Sequence, residues 1–254
     1  MQLRTGDGVR LAAEHWPSPE RDLGCVVAHG FTMSSRNPHV QRICRAFADR
    51  GAGVLALDFR GHGRSAGLST AGGDEIHDIA AAVRWLRGAG YRRVATLGWS
   101  MGGTAVLRHA GLGGDADAVV SVSAPGTWFE RGTAPMRMVH WMFESRTGRT
   151  LTRLLRRTRI APTGWDPIPE APAEVAGAIA PRPLLVVHGE IDRYFPLTHV
   201  EALAAAAPTA QVWIEPGMGH AEIATTAELL ERIGDWVLRA CGPRVPVCDD
   251  EKRD

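Results

Sequence analysis

The sequence predicts an α/β fold: a mostly parallel sheet of eight strands with helices on both faces. Three observations carry that prediction. Short, continuously apolar runs alternate with helical patterns along most of the chain, as expected for strands buried on both faces and joined by crossover helices. The stretch Gly98-Trp99-Ser100-Met101-Gly102-Gly103 lies between one such run and a helical pattern, so it reads as strand, sharp turn, helix. The chain has 254 residues and 44% hydrophobic content, enough for one domain with a sizeable core and a small insertion.

Each element follows from local pattern. Residues 2–16 read as a hairpin about the turn Gly6-Asp7-Gly8. Gly24-Cys25-Val26-Val27-Ala28 is a buried strand that ends in His29-Gly30-Phe31-Thr32. Asn37-Pro38 opens a helix to about residue 50, with Val40, Ile43, Cys44 and Phe47 on one face. The strand 53–58 leads into Phe59-Arg60-Gly61-His62-Gly63-Arg64-Ser65, and a helix follows over 74–87. After the strand 93–97 and its glycine-flanked turn comes another buried strand, 118–123. The alternation then stops. Residues 125–172 carry two amphipathic helical patterns, over 133–146 and 149–160, and no buried strand. Alternation resumes with a strand at 183–188, a helix over 198–207, a strand at 211–214 and one last helix over 221–239. The expected organisation is a core of 1–124 and 173–241, a helical cap of 125–172, and a disordered tail of 242–254.

Composition excludes several classes. A net charge of +1 gives no basic excess for nucleic acid. No apolar run approaches the ~20 residues of a membrane span, and the first residues have no apolar core of a signal peptide. The four cysteines have no C-x-x-C spacing; Cys25 and Cys44 read as core residues, while Cys241 and Cys248 flank a Pro-rich stretch and could pair, reduced thiols being the simpler reading. The expectation is a cytoplasmic protein that binds neither nucleic acid nor membrane, either a monomer or a homodimer.

The chemistry gathers where strands end. Gly98-Trp99-Ser100-Met101-Gly102 fits G-x-S-x-G, in which a tight strand-to-helix turn exposes a serine hydroxyl. Serine is a weak nucleophile unless a base serves it. His188-Gly189-Glu190-Ile191-Asp192 and Gly217-Met218-Gly219-His220 end two later strands and supply an acid and a base. With His29-Gly30-Phe31 and the loop 58–65, these motifs resemble α/β-hydrolase-fold serine hydrolases from residue 2 to about 240. His29-Gly30-Phe31-Thr32 with its following loop is also similar to bacterial carboxylesterases of the cinnamoyl/feruloyl-esterase-like branch. The resemblance implies an α/β-hydrolase fold, with the cap after the sixth strand. It implies Ser100 as nucleophile, His220 as general base and Asp192 as its orienter, with Glu190 the competing acid. The backbone N–H groups of Phe31 and Met101 would form the oxyanion hole.

Other motifs read as structural. Asp58, Arg60 and His62 are expected to hold turns, and His29 and His188 to support loops. His29, His62, Asp58 and His188 lack a recognised ligand spacing, so no metal is expected. Gly61, Gly63 and Gly67 do not open a helix as a phosphate loop does, so no cofactor is expected either. Trp99, Trp128, Phe129, Met136, Val139, His140 and Phe143 are candidate pocket residues. Six arginines between 146 and 159, with no acid among them, mark a solvated face or one that steers anionic substrates. The expected activity is hydrolysis of a small or medium carboxylic ester. Alternatives are a thioesterase or acyltransferase, a C–C hydrolase or perhydrolase, and a ligand-binding protein without catalysis.

Overall fold

Apolar residues alternate between the two faces of the strands, and this alternation builds two cores, one on each side of a sheet. The computed structural model describes residues 1–242; the expected tail and Cys248 lie outside the described residues. In chain order the elements begin with β1 (Gln2–Arg4), β2 (Arg10–Trp16), β3 (Leu23–Ala28), α1 (Pro38–Ala48), β4 (Gly53–Leu57) and α2 (Glu75–Gly88). They continue with β5 (Arg93–Trp99), α3 (Met101–Gly111), β6 (Ala118–Val122), α4 (Ala134–Glu144), α5 (Arg146–Arg156) and α6 (Pro172–Ala176). The last are β7 (Leu184–Gly189), α7 (Leu197–Ala206), β8 (Gln211–Glu215), α8 (Ala221–Ala224) and α9 (Ala227–Ala240).

The eight strands lie in the order β1-β2-β4-β3-β5-β6-β7-β8. β1 and β2 pair antiparallel, as does β2 with β4, and every other pairing is parallel. Because side chains alternate along a strand, Val26, Leu55 and Leu57 pack on one face with Ile79 and Leu86 of α2 and Leu107 of α3. Cys25, Val27, Val54 and Leu97 pack on the other with Ile43 and Phe47 of α1 and Ile233 and Val237 of α9. Each fully buried aliphatic side chain contributes about 1.5–3 kcal/mol.

The helix boundaries follow caps. The Asn37 side chain accepts from His39 N–H and starts α1, with Pro38 at its first position. The sequence pattern predicts one last helix over 221–239, but the structure divides it. Thr226 leaves helical geometry and its side chain accepts from Leu229 N–H, so α9 starts afresh after the short α8. A side-chain cap here competes with continuation of the helix. The second pattern within 125–172 also shifts: α5 ends at Arg156, because Arg157 turns left-handed (φ 53°). The chain then lies beside the β4–α2 loop, where Arg159 N–H donates to Gly61 O (2.7 Å) and Ala161 N–H to Ser69 O (2.9 Å). Among the described residues, no helix is long and apolar enough to cross a membrane.

Candidate active site

The site is built from loops at the carboxyl ends of β3, β5, β6, β7 and β8, where an open parallel sheet presents its crevice. At the end of β5, Ser100 stands at φ 50°, ψ −117°. A non-glycine residue held there costs about 1–3 kcal/mol, which the surrounding structure must sustain. Two backbone bonds fix it: Ser100 N–H donates to Val122 O (2.8 Å), and Ser100 O accepts from Thr104 N–H (3.0 Å). Gly98 and Gly102 make the turn possible. A Cβ on Gly98 would stand 2.2 Å from Gly102 O, and one on Gly102 would stand 2.1 Å from Ala28 O. Gly102→Ala is therefore expected to destabilise the protein by about 3 kcal/mol. A thermal melt checks this, as a fall of about 10 °C in Tm.

Ser100, His220 and Asp192 come together from three loops. An ionised carboxylate can only accept hydrogen bonds. His220 Nδ1–H thus donates to Asp192 Oδ2 (2.7 Å), and Nε2 is left to accept from Ser100 Oγ–H (3.0 Å). Burial pushes the Asp192 carboxyl up, but the His220 hydrogen bond and charge and the N–H groups of Tyr194 and Phe195 outweigh it. The carboxyl is held below its ordinary value. Those two N–H groups reach Asp192 Oδ1 at 2.8 and 3.2 Å. Glu190 points elsewhere, accepting from Gly217 N–H (3.0 Å). His188 supports the loop as expected, its Nε2–H donating to Phe195 O (2.9 Å).

Three neighbours of His220 escaped the sequence reading. Tyr194 stacks on its ring at 4.2 Å, and Phe195 meets it edge-on at 5.6 Å. Ser123, at the end of β6, accepts from the N–H of Ala221 (3.1 Å) and so anchors the backbone after His220. The two aromatic residues that follow Asp192 after one arginine were a visible signal. Ser123 had none, because its partner lies almost a hundred residues away.

Gly30, which precedes Phe31, lies beside the serine, where an added Cβ would stand 3.4 Å from Ser100 Cβ, and Met101 follows the serine in the chain. Met101 is the first residue of α3, so its N–H has no acceptor within the helix. Phe31 follows the Gly30 peptide, whose oxygen accepts from His29 Nδ1–H (2.8 Å) and from Met33 N–H (3.2 Å). His29 Nε2 accepts from Phe59 N–H (3.1 Å). Both of its nitrogens are thus used by a neutral ring, and burial, with His62 beside it, pushes His29 down to about 3. Asp58 and Arg60 hold turns as expected. Asp58 Oδ1 accepts from the N–H and hydroxyl of Ser35, both at 2.7 Å, and Arg60 pairs with Asp78 at 2.8 Å.

The candidate pocket residues divide. Phe143 lies against Phe31 (5.0 Å) and stacks on Trp165 (5.5 Å), which also touches Phe129, His140 and Trp128 at 5.3–5.6 Å. Trp165 was missed by the sequence reading because it sits in an irregular Pro-rich stretch without periodicity. Met136 is buried on α4 and Val139 half-buried. Trp128 and Phe129 also line a cavity of about 640 Å³ with Pro167, Ile168 and Pro169; Ser100 does not border it. Trp99 does not belong to the pocket. It follows Gly98 on β5, so strand alternation turns it to the far core with Leu97. There its Nε1–H donates to Thr225 Oγ1 (3.0 Å). The arginines divide too. Arg149 donates to Phe143 O (2.6 Å) and Arg159 to Ser65 O, whereas Arg153 and Arg156 are exposed.

The sequence profile of the family described as serine aminopeptidase, S33 (Hydrolase_4) matches residues 19–175, more than half of the chain. The chain belongs to this family. It is an α/β-hydrolase-fold serine hydrolase. This S33-family hydrolase is 26% identical to the monoacylglycerol lipase of Mycolicibacterium smegmatis, an alignment covering 91% of this chain and 94% of the lipase. Among solved structures it is similar to the Pyrococcus furiosus esterase Pf2001 (TM-score 0.74, 22% identity, 95% of this chain and 92% of that one). It is also similar to Est1E of Butyrivibrio proteoclasticus, solved with ferulic acid bound (TM-score 0.66, 21% identity, 96% of this chain and all of that one). These likenesses extend the agreement in fold to nearly the whole chain.

Proposed function

We propose that this hydrolase cleaves small or medium carboxylic esters through an acyl-enzyme on Ser100. The observation that carries the reading is the hydrogen-bonded line from Ser100 Oγ through His220 to Asp192, at 3.0 and 2.7 Å. Ser100 Oγ attacks the acyl carbonyl while His220 Nε2 takes its proton. Asp192 stabilises the imidazolium that forms. The N–H groups of Phe31 and Met101 receive the oxyanion, and loss of one such donor typically costs about 10²–10³ in rate. His220 then returns the proton to the leaving alkoxide. Water repeats the sequence on the acyl-enzyme and frees the acid. These steps use side chains and backbone alone.

The proposed cap is 125–172. Phe143 and Trp165 of this segment stack on each other, and Phe143 lies against Phe31 of the β3–α1 loop, an apolar join that favours acyl groups without charge. The ester reading agrees with the monoacylglycerol lipase relative. The buried cysteines Cys25, Cys44 and Cys241, all free, accord with action in the cytoplasm. The test is a panel of nitrophenyl esters of graded chain length, aryl esters, acyl-CoA thioesters and amino-acid anilides. Ester turnover that falls with acyl charge is the expected result. Turnover of the anilides alone contradicts it.

A thioesterase is the second reading, favoured by the exposed Arg153 and Arg156 on α5. Under it, the double substitution Arg153→Glu, Arg156→Glu raises KM for an acyl-CoA and leaves KM for a neutral ester unchanged. At a surface screened over about 8 Å, the effect is about threefold to tenfold and shrinks as salt rises. Equal changes on both substrates exclude steering by these arginines.

A further inference from the structure

One buried carboxylate plays no part in the steps above. Glu222 lies on α8, two residues after His220, and is 1% exposed. Its Oε1 accepts from the N–H of Gly30 (2.5 Å), across 192 residues of chain. The contact is close on all sides. A Cβ built on Gly30 would meet the two carboxylate oxygens at 3.1 and 3.2 Å and the Cβ of Ser100 at 3.4 Å. Gly30 therefore lies between the carboxylate and the nucleophile, close to both. Burial pushes its carboxyl above the ordinary value, against the pull of the Gly30 N–H, its own backbone N–H and the nearby His220. An acid kept in such surroundings costs stability except where hydrogen bonds and charge partners compensate it, so its place here asks for a task.

The peptide geometry indicates that task. Gly30 sits between two planar peptide groups. The group before it presents the N–H that Glu222 holds. The group after it joins the Gly30 carbonyl to the N–H of Phe31, and His29 Nδ1–H and Met33 N–H hold that carbonyl. In a trans peptide the two point in opposite directions, so fixing the Gly30 carbonyl aims the Phe31 N–H. Glycine has the widest backbone freedom of any residue. Without a partner for its N–H, the turn has one hold fewer against rotation. Glu222 supplies that hold from a helix that is itself braced. Ser123 Oγ accepts from Ala221 N–H, and Arg42 Nη2 donates to Glu222 O (3.0 Å).

We propose that Glu222 is a positioning residue for the oxyanion hole: by holding the Gly30 N–H it fixes the direction of the Phe31 N–H and ties that donor to the helix that follows His220. The acceptor oxygen is what this role requires, so glutamine can replace it and an apolar side chain of similar length cannot. The inference rests on the proposed acyl-enzyme chemistry.

The test compares Glu222→Gln and Glu222→Met on a neutral short-chain nitrophenyl ester, with inhibition by an aryl trifluoromethyl ketone, whose hydrated adduct on serine carries the oxyanion. Glu222→Met is expected to lower kcat by about 10- to 100-fold with KM nearly unchanged, since a misplaced donor is lost chiefly from the transition state. Binding of the ketone weakens in proportion, and Glu222→Gln restores kcat to within about threefold of the parent. Equal losses in both variants, a loss expressed in KM, or full activity of Glu222→Met each overturn the proposal. Should Glu222→Met fail to fold, the Gly30 amide proton of the ¹⁵N-glycine-labelled parent decides. It is expected far downfield in the parent, as for a short hydrogen bond, and stays hydrogen-bonded in Glu222→Gln; an ordinary shift in the parent overturns the proposal. That resonance does not depend on turnover. If the parent hydrolyses no ester, the acyl-enzyme reading fails while the Gly30 result still stands.

Discussion

Ser100→Ala is expected to lower kcat for ester hydrolysis by about 10⁴–10⁶-fold while the fold and the Tm persist. Ser100 is the residue at φ 50° whose backbone is pinned by Val122 and Thr104, and neither bond involves its hydroxyl. Alanine keeps both bonds and carries the same Cβ, so the turn survives. The group that attacks the carbonyl does not. Under the proposed mechanism, what would remain is the contribution of the Phe31 and Met101 N–H groups and of substrate binding, which alone leaves a modest acceleration over water. Steady-state kinetics over a wide enzyme concentration range measures the loss, and circular dichroism checks the fold.

Asp192→Asn is expected to cost about 10⁴-fold in kcat at neutral pH, with little change in KM. The orientation of the amide decides this. Asp192 Oδ1 accepts two backbone N–H groups, from Tyr194 and Phe195. An asparagine must turn its oxygen to those donors, which leaves its NH₂ facing His220 Nδ1. That nitrogen must then accept, so the ring proton moves to Nε2. Nε2 faces Ser100 Oγ and can no longer take its proton. Asp192→Ala removes the orienter without imposing the wrong tautomer, and its loss is expected to be smaller than that of Asp192→Asn. The ratio of the two kcat values measures the tautomer effect directly.

The sheet, its mostly parallel pairing and the position of Ser100 were legible because each is written in short-range pattern. Buried strands read as continuous apolar runs, and the turn that carries Ser100 is five adjacent residues whose glycines have a steric reason. Asp192 and His220 could be named as candidates because each follows a strand in a loop that carries few other acids or bases. What was lost was either long-range or cancelled locally. Ser123 and Glu222 act on partners 98 and 192 residues away, and nothing beside them in sequence marks them. Trp99 was misread because adjacency to Ser100 along a strand is opposition in space: one step turns the indole to the other face. The break between α8 and α9 was hidden because Thr225-Thr226 interrupts a pattern whose apolar spacing still suits one helix, while a threonine cap decides the outcome. Trp165 was hidden by the lack of periodicity in a Pro-rich stretch, although its ring joins Phe143 to Phe129 and His140.

The claim on which the functional account depends is that Ser100 is a nucleophile activated by His220. A fluorophosphonate probe reacts covalently with such a serine, and peptide mass mapping locates the adduct. The account predicts one adduct per chain, on Ser100, abolished in Ser100→Ala and strongly slowed in His220→Ala. An adduct on another residue, or turnover of esters that persists with Ser100 unlabelled under excess probe, contradicts it.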